Sequence, residues 1–77
     1  MLNKLDKHEE AIHAANKVIA LIPDDSDAYY NRGISLCQLH REEEALEAFD
    51  NAILLNPDYV GALYARGALL CRLTRYE

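Results

Sequence analysis

The chain is 77 residues long, with 51% apolar and 27% charged residues, two cysteines and a net charge of −5. That length holds one small domain, and the composition is globular, not disordered; a single core of this size is marginal without staples or partners. The acidic balance excludes a sequence-independent grip on nucleic-acid phosphates, which needs clustered Lys and Arg, and it excludes a basic helix lying on a membrane.

Residues 1–7 carry Leu2 and Leu5 at helical spacing and read as a short stub, the end of a helix. Residues 8–22 read as a full helix with an apolar stripe of Ala11, Ala15, Val18, Ile19 and Ile22, and with Glu9 and Glu10 placed well for the helix dipole. Pro23 ends it, because a proline disfavours α geometry in the residue before it. Asp24 and Asp25 then offer side-chain oxygens to cap a second helix running to about residue 40. Its inner face is Tyr29, Gly33, Leu36 and Leu39, with Gly33 expected against Ala45. After a tight charged turn, residues 42–55 form the third helix, buried through Ala45, Ala48, Phe49, Ala52 and Ile53. Pro57 and Asp58 repeat the stop and the cap, and residues 60–73 form the last helix with Leu63, Gly67, Leu70 and Leu73 inward. The expected fold is all-α: an antiparallel helix–turn–helix stack of four helices plus the stub.

The chain also repeats itself at an offset of 34. Ala28, Tyr30, Arg32, Gly33, Leu36 and Cys37 recur as Ala62, Tyr64, Arg66, Gly67, Leu70 and Cys71. Glu9, Glu10, Ala11, Ala14, Ile19, Leu21, Pro23 and Asp24 recur as Glu43, Glu44, Ala45, Ala48, Ile53, Leu55, Pro57 and Asp58. A fixed period of this size marks stacked supersecondary units. The expected division of the single domain 1–77 is the end of one repeat over 1–25, a complete repeat over 26–59, and the first helix of a third over 60–77. Cys37 and Cys71, one period apart, sit on neighbouring helices whose axes are roughly 8–10 Å apart. That exceeds disulfide reach, so both thiols are expected free, as in a reducing compartment. Nothing resembles a signal peptide or a membrane span, and cytoplasm is the default.

These residues resemble the tetratricopeptide repeat, whose pattern of W-x-x-L-G-x-x-Y, A-x-x-x-F, A and P is matched by Tyr29, Gly33, Leu36, Ala45, Phe49, Ala52 and Pro57. Arg32 and Arg66 stand where the family expects leucine. The resemblance implies a concave groove lined by the first helix of each repeat, which here places Asp27, Tyr30, Asn31, Ile34, Cys37 and Gln38, then Tyr64, Ala68, Cys71 and Arg72, against a protein or peptide. A ladder of Tyr30 and Tyr64 suits an extended peptide or helix; the competing account packs both rings on a neighbouring helix. The family's clamp for a chaperone's C-terminal carboxylate is not expected. Only Asn31 matches it, and the expected Lys and Arg fall on Gly61 and Ala65.

Chemistry-bearing groups point away from an enzyme. His8 and His13 with Glu9 are spaced one residue too far for HExxH, so the second imidazole leaves the shared face. Cys37 and His40 lack a second pair to complete four metal ligands. Glu42, Glu43, Glu44 and Glu47 crowd a helix start, where they are expected solvated. No cofactor or metal is expected. The expected function is a protein–protein interaction module. Its alternatives are a self-assembling scaffold whose incomplete terminal repeats dock together as a homo-oligomer, or a fragment of a longer array.

Overall fold

The computed structural model describes the backbone of residues 4–75 and the side chains of residues 7–74. Four α-helices follow one another: α1 Lys4–Leu21, α2 Ser26–Gln38, α3 Glu42–Leu55 and α4 Val60–Arg75. Each packs antiparallel on the next, and α4 also touches α2. No strand occurs among the described residues.

The joints between helices have distinct chemistry. Asp25 caps α2: its Oδ1 accepts from the amides of Asp27 at 3.0 Å and Ala28 at 3.4 Å, a cap worth about 1 kcal/mol. The corresponding cap expected from Asp58 is not formed. The position equivalent to Asp25 is Tyr59, whose backbone carbonyl accepts from Leu63 at 3.0 Å, while Asn56 Oδ1 accepts from the Asp58 amide at 3.3 Å. α2 ends earlier than residue 40. His40 adopts a left-handed φ of 62°, its amide reaches Cys37 O at 3.0 Å, and the Arg41 amide reaches Leu36 O at 2.9 Å. These two bonds make a Schellman stop that satisfies carbonyls the helix would otherwise leave open.

At the two ends of the period that stop is missing. α1 runs unbroken from Lys4, so residues 4–7 are its first turn and not a separate stub; residues 1–3, Leu2 among them, lie outside the described residues. α4 runs through Thr74, the equivalent of His40, to Arg75. A β-branched residue is strongly disfavoured at positive φ, and Thr74 instead donates its hydroxyl to Leu70 O at 2.8 Å within the helix. The turn expected at 75–77 is therefore not entered by residue 75, and residues 76–77 lie outside the described residues.

The core forms where α2, α3 and α4 meet. Phe49, Leu36 and Leu69 are its large fully buried side chains, set among Ala45, Ala48, Ala52 and Ala62. Alanines on facing stripes let helix axes approach to roughly 8–10 Å, and the aromatic ring fills the space they leave. Gly33 lets α3 approach closely, and its nearest neighbours there are atoms of the Phe49 ring: a Cβ placed on it would lie 2.5 Å from Phe49 Cε1. On α1, Ala15 is buried and Ile12 packs on the core, while Ala11 and Ile22 of the expected stripe are exposed. On α4 Ala62 and Leu69 are buried and Ala65 and the expected Leu73 pack against the core, whereas Leu63 and Leu70 are 44% and 37% exposed and a Cβ on Gly67 would meet nothing within 4 Å. Leu70 and Gly67 are the equivalents of Leu36 and Gly33, which in α2 face the helix that follows. No helix follows α4 among the described residues.

Candidate protein-binding surface

A trough of about 440 Å³ runs between α1 and α2. Ala11, Ala14, Ala15 and Val18 form one wall, spaced to share a helix face. Ala28, Asn31, Ile34 and Ser35 form the other, with Asp25 and Asp27 at the rim. The lining is apolar and small, and the charge beside it is negative. Such a volume falls at the small end of ligand pockets, roughly 300–1,000 Å³, but an open trough walled by alanines fits side chains of a helix better than it encloses a small molecule.

Of the residues expected at a groove, Asp27, Asn31 and Ile34 come together in this trough. Gln38 is exposed and Cys37 half-buried, with burial pushing its thiol pKa up, the Arg72 charge opposing and Glu42 adding to it. On α4, Ala68, Cys71 and Arg72 are exposed and share a face with Tyr64, which is 79% exposed. Arg72 Nε lies 3.6 Å from Glu42 Oε2.

Tyr30 and Tyr64 occupy unequal settings. The Tyr30 ring is half-buried, 6.0 Å from the Phe49 ring and 5.0 Å from that of Tyr59, and it stands 3.2 Å from where a Cβ on Gly61 would be. It joins α2 to the start of α4. Tyr59 supports the joint by donating its hydroxyl to Asp27 Oδ1 at 2.6 Å. Burial, then that hydrogen bond, then the Asp27 charge push the Tyr59 hydroxyl up to about 12.

Sequence reasoning passed over Ala14 and Tyr59. The spacing of Ala11, Ala14, Ala15 and Val18 was the available signal for the trough wall. Tyr59 carried none, because its bond to Asp27 spans a full repeat. Arg32 has its Nε buried without a hydrogen-bond partner among the described residues. Its equivalent Arg66 donates Nε to Asp50 Oδ1; one period earlier the Asp50 position is Asn16. Both cysteines are free. Among the described residues no three His, Cys, Asp or Glu side chains gather as a metal site, and no helix is long and apolar enough to cross a membrane.

Residues 26–59 match the tetratricopeptide repeat family. Comparison with curated proteins and with solved structures gave no match. The matched segment runs from the first residue of α2, through α3, to Tyr59, the residue before α4, so it coincides with the helical pair that holds Phe49 against Gly33. The chain thus carries a tetratricopeptide repeat at residues 26–59 within an all-α stack of four helices, a repeat that is typically non-catalytic and generally serves protein–protein interaction.

Proposed function

We propose that the chain is a protein-binding module that receives an amphipathic helix of a partner in the trough between α1 and α2. The observation that carries this reading is the trough itself: small apolar walls from Ala11, Ala14, Val18 and Ile34, with Asp25 and Asp27 at the rim and Asn31 offering an amide. Walls of that kind accept the ridge of a helix, whose side chains at i, i+3, i+4 and i+7 would fill the spaces between alanines. The acidic rim selects a helix with Lys or Arg beside its apolar stripe. Tyr64, Ala68, Cys71 and Arg72 give α4 a second exposed contact face for protein, while Tyr30, Cys37 and Gln38 lie between the two.

Selection of displayed peptides of helical length against the chain tests the reading. The expected winners share one apolar stripe with flanking basic residues, and Ala14→Arg, which fills the trough without touching the core, weakens their binding at least tenfold. Failure to enrich any sequence, or winners indifferent to Ala14→Arg, would refute it.

A further inference from the structure

The trough is the core of the complete repeat, displaced by one period and left open. Ala11, Ala14, Ala15, Val18, Ala28 and Ser35 line it. The residues 34 positions later are Ala45, Ala48, Phe49, Ala52, Ala62 and Leu69, every one of them buried to 2% exposure or less. Those six are the seat on which α2 packs. The helix equivalent to α2 is α4, which repeats its Tyr30, Gly33, Leu36 and Cys37 as Tyr64, Gly67, Leu70 and Cys71. α4 thus presents the face that such a seat takes, and it presents it exposed.

Resting on the helix-binding reading above, we infer that the occupant of the trough is α4 of a second copy of this chain, docked head to tail so that α4 of one copy and α1 of the next form a composite helical pair. Charge does not oppose the match. α4 carries no carboxylate to repel Asp25 and Asp27 at the rim of the trough, while its Arg66 and Arg72 already face Asp50 and Glu42 of their own copy. In the composite, Tyr64 takes the place that Tyr30 takes against Tyr59 and Gly61, but it meets Asp25 and Asp27, which stand at those two positions one period earlier; since a Cβ at the Gly61 position would lie 3.2 Å from the Tyr30 ring and hydroxyl, Tyr64 must shift off Asp27 by a few tenths of an ångström. α1 starts before the point equivalent to the start of α3, and α4 continues past the point equivalent to the end of α2. No tight turn has to close this pair, and the two helices run on side by side.

One substitution sets the strength of the joint. Gly67 meets Ala15 of the second copy where Gly33 meets Phe49, so the composite lacks the ring that fills the complete repeat. The joint is therefore weaker than the α2–α3 pair, and association is concentration-dependent. Its geometry is heterologous, the same two different faces at every joint, and this produces open stacks and not a closed dimer.

Sedimentation velocity of the 77-residue chain across a concentration series is the test, with two variants that break one face each: Leu63→Asp on α4 and Ala14→Arg in the trough. Tyr64→Asp and Ala11→Arg, also at exposed positions, serve if either first variant loses helicity. Wild-type mass is expected to climb past twice the 8.7 kDa of one chain, while each variant alone stays at one chain with unchanged helical content. The equimolar mixture retains one intact α4 face and one intact trough, and is expected to stop at two chains. A wild-type chain that stays monomeric up to about a millimolar, variants that still associate, or a mixture that stays monomeric would each overturn the inference. A monomeric wild type that still binds selected helical peptides in an Ala14-dependent way would remove the second copy and keep the helix-binding reading. Loss of both would remove both.

Discussion

Gly33 and Gly67 hold the same place in the period and should answer the same substitution with opposite signs. Alanine at either site gains about 0.5–1 kcal/mol from the lower backbone entropy lost on entering a helix. At Gly33 the new methyl would sit 2.5, 2.7 and 2.9 Å from three atoms of the Phe49 ring. That ring is fully buried among alanines and cannot swing clear, so the helix pair must separate, at about 1–3 kcal/mol for an overpacked core. The clash involves three ring atoms at once and belongs at the upper end of that range. Less the propensity gain, Gly33→Ala is therefore expected to destabilise by about 2–2.5 kcal/mol, a fall in Tm of roughly 8–20 °C for a domain this small. At Gly67 nothing lies within 4 Å, only the propensity gain remains, and Gly67→Ala is expected to raise Tm by roughly 2–8 °C. Thermal melts followed by circular dichroism, at one low protein concentration so that association does not contribute, measure both. A Gly33→Ala chain as stable as wild type would mean that Phe49 does not fill the space against α2. A destabilised Gly67→Ala chain would mean that the outer face of α4 is already covered.

Four further outcomes follow from particular contacts. His40→Gly should stabilise by a few tenths to about 1 kcal/mol in urea denaturation, since only glycine holds a left-handed φ without a steric cost; a loss of stability would show that His40 has a side-chain role outweighing its backbone. Asn16→Asp should stabilise by about 0.5–1 kcal/mol by giving Arg32 the partner that Asp50 gives Arg66, with the gain shrinking at high salt, and a salt-independent or absent gain would count against the pairing. Cys71 should react with iodoacetamide well before Cys37, because Cys71 is exposed and burial holds the Cys37 thiol protonated; peptide mapping after partial labelling reads the order, and equal rates would contradict it. The raised hydroxyl of Tyr59 binds its proton more tightly folded than unfolded, so its contribution is fully present below about pH 10 and lost as pH rises towards 12. Tyr59→Phe should flatten that part of the stability profile and lower stability at neutral pH, where the hydrogen bond to Asp27 is intact, and an unchanged slope would assign the alkaline loss to other groups.

Helix identity and order were legible in the sequence because they rest on local signals: apolar spacing, two prolines and a 34-residue period. α3 begins and ends where those signals place it. Where the expectation and the structure part, either a local signal was carried by an unusual residue or position, or the deciding contact lies between helices. The stop at His40 was hidden, since the left-handed position usually announces itself with glycine and here carries histidine. The cap expected at Asp58 failed by one residue: the period aligns Asp58 with Asp24, while the residue that caps α2 is Asp25. That the Phe49 ring lies nearest to Gly33 on α3 is determined only by the packing of the two helices. Among the site residues, Asp27, Asn31 and Ile34 share the trough, but half of that trough belongs to α1, whose alanines read from sequence as buried stripe.

Whether a stripe of a repeat becomes core or surface is decided by the helix that covers it. In α2 the stripe containing Gly33 and Leu36 is core, because α3 lies on it. In α4 the same stripe, as Gly67 and Leu70, is surface, because nothing among the described residues lies on it. Ala45 is completely buried and Ala11, its equivalent, is exposed for the same reason. Residue type and local conformation are shared within each pair, so neither decides between core and surface; the neighbour does. A stack of nearly identical units must therefore expose at each end a face built to the specification of its own interior. Whatever binds such an end is selected for likeness to the helix that would otherwise continue the stack. Among the described helices the exposed one with that likeness is the chain's own α4, and Ala15 in place of Phe49 would loosen the fit and keep the inferred end-to-end association weaker than folding.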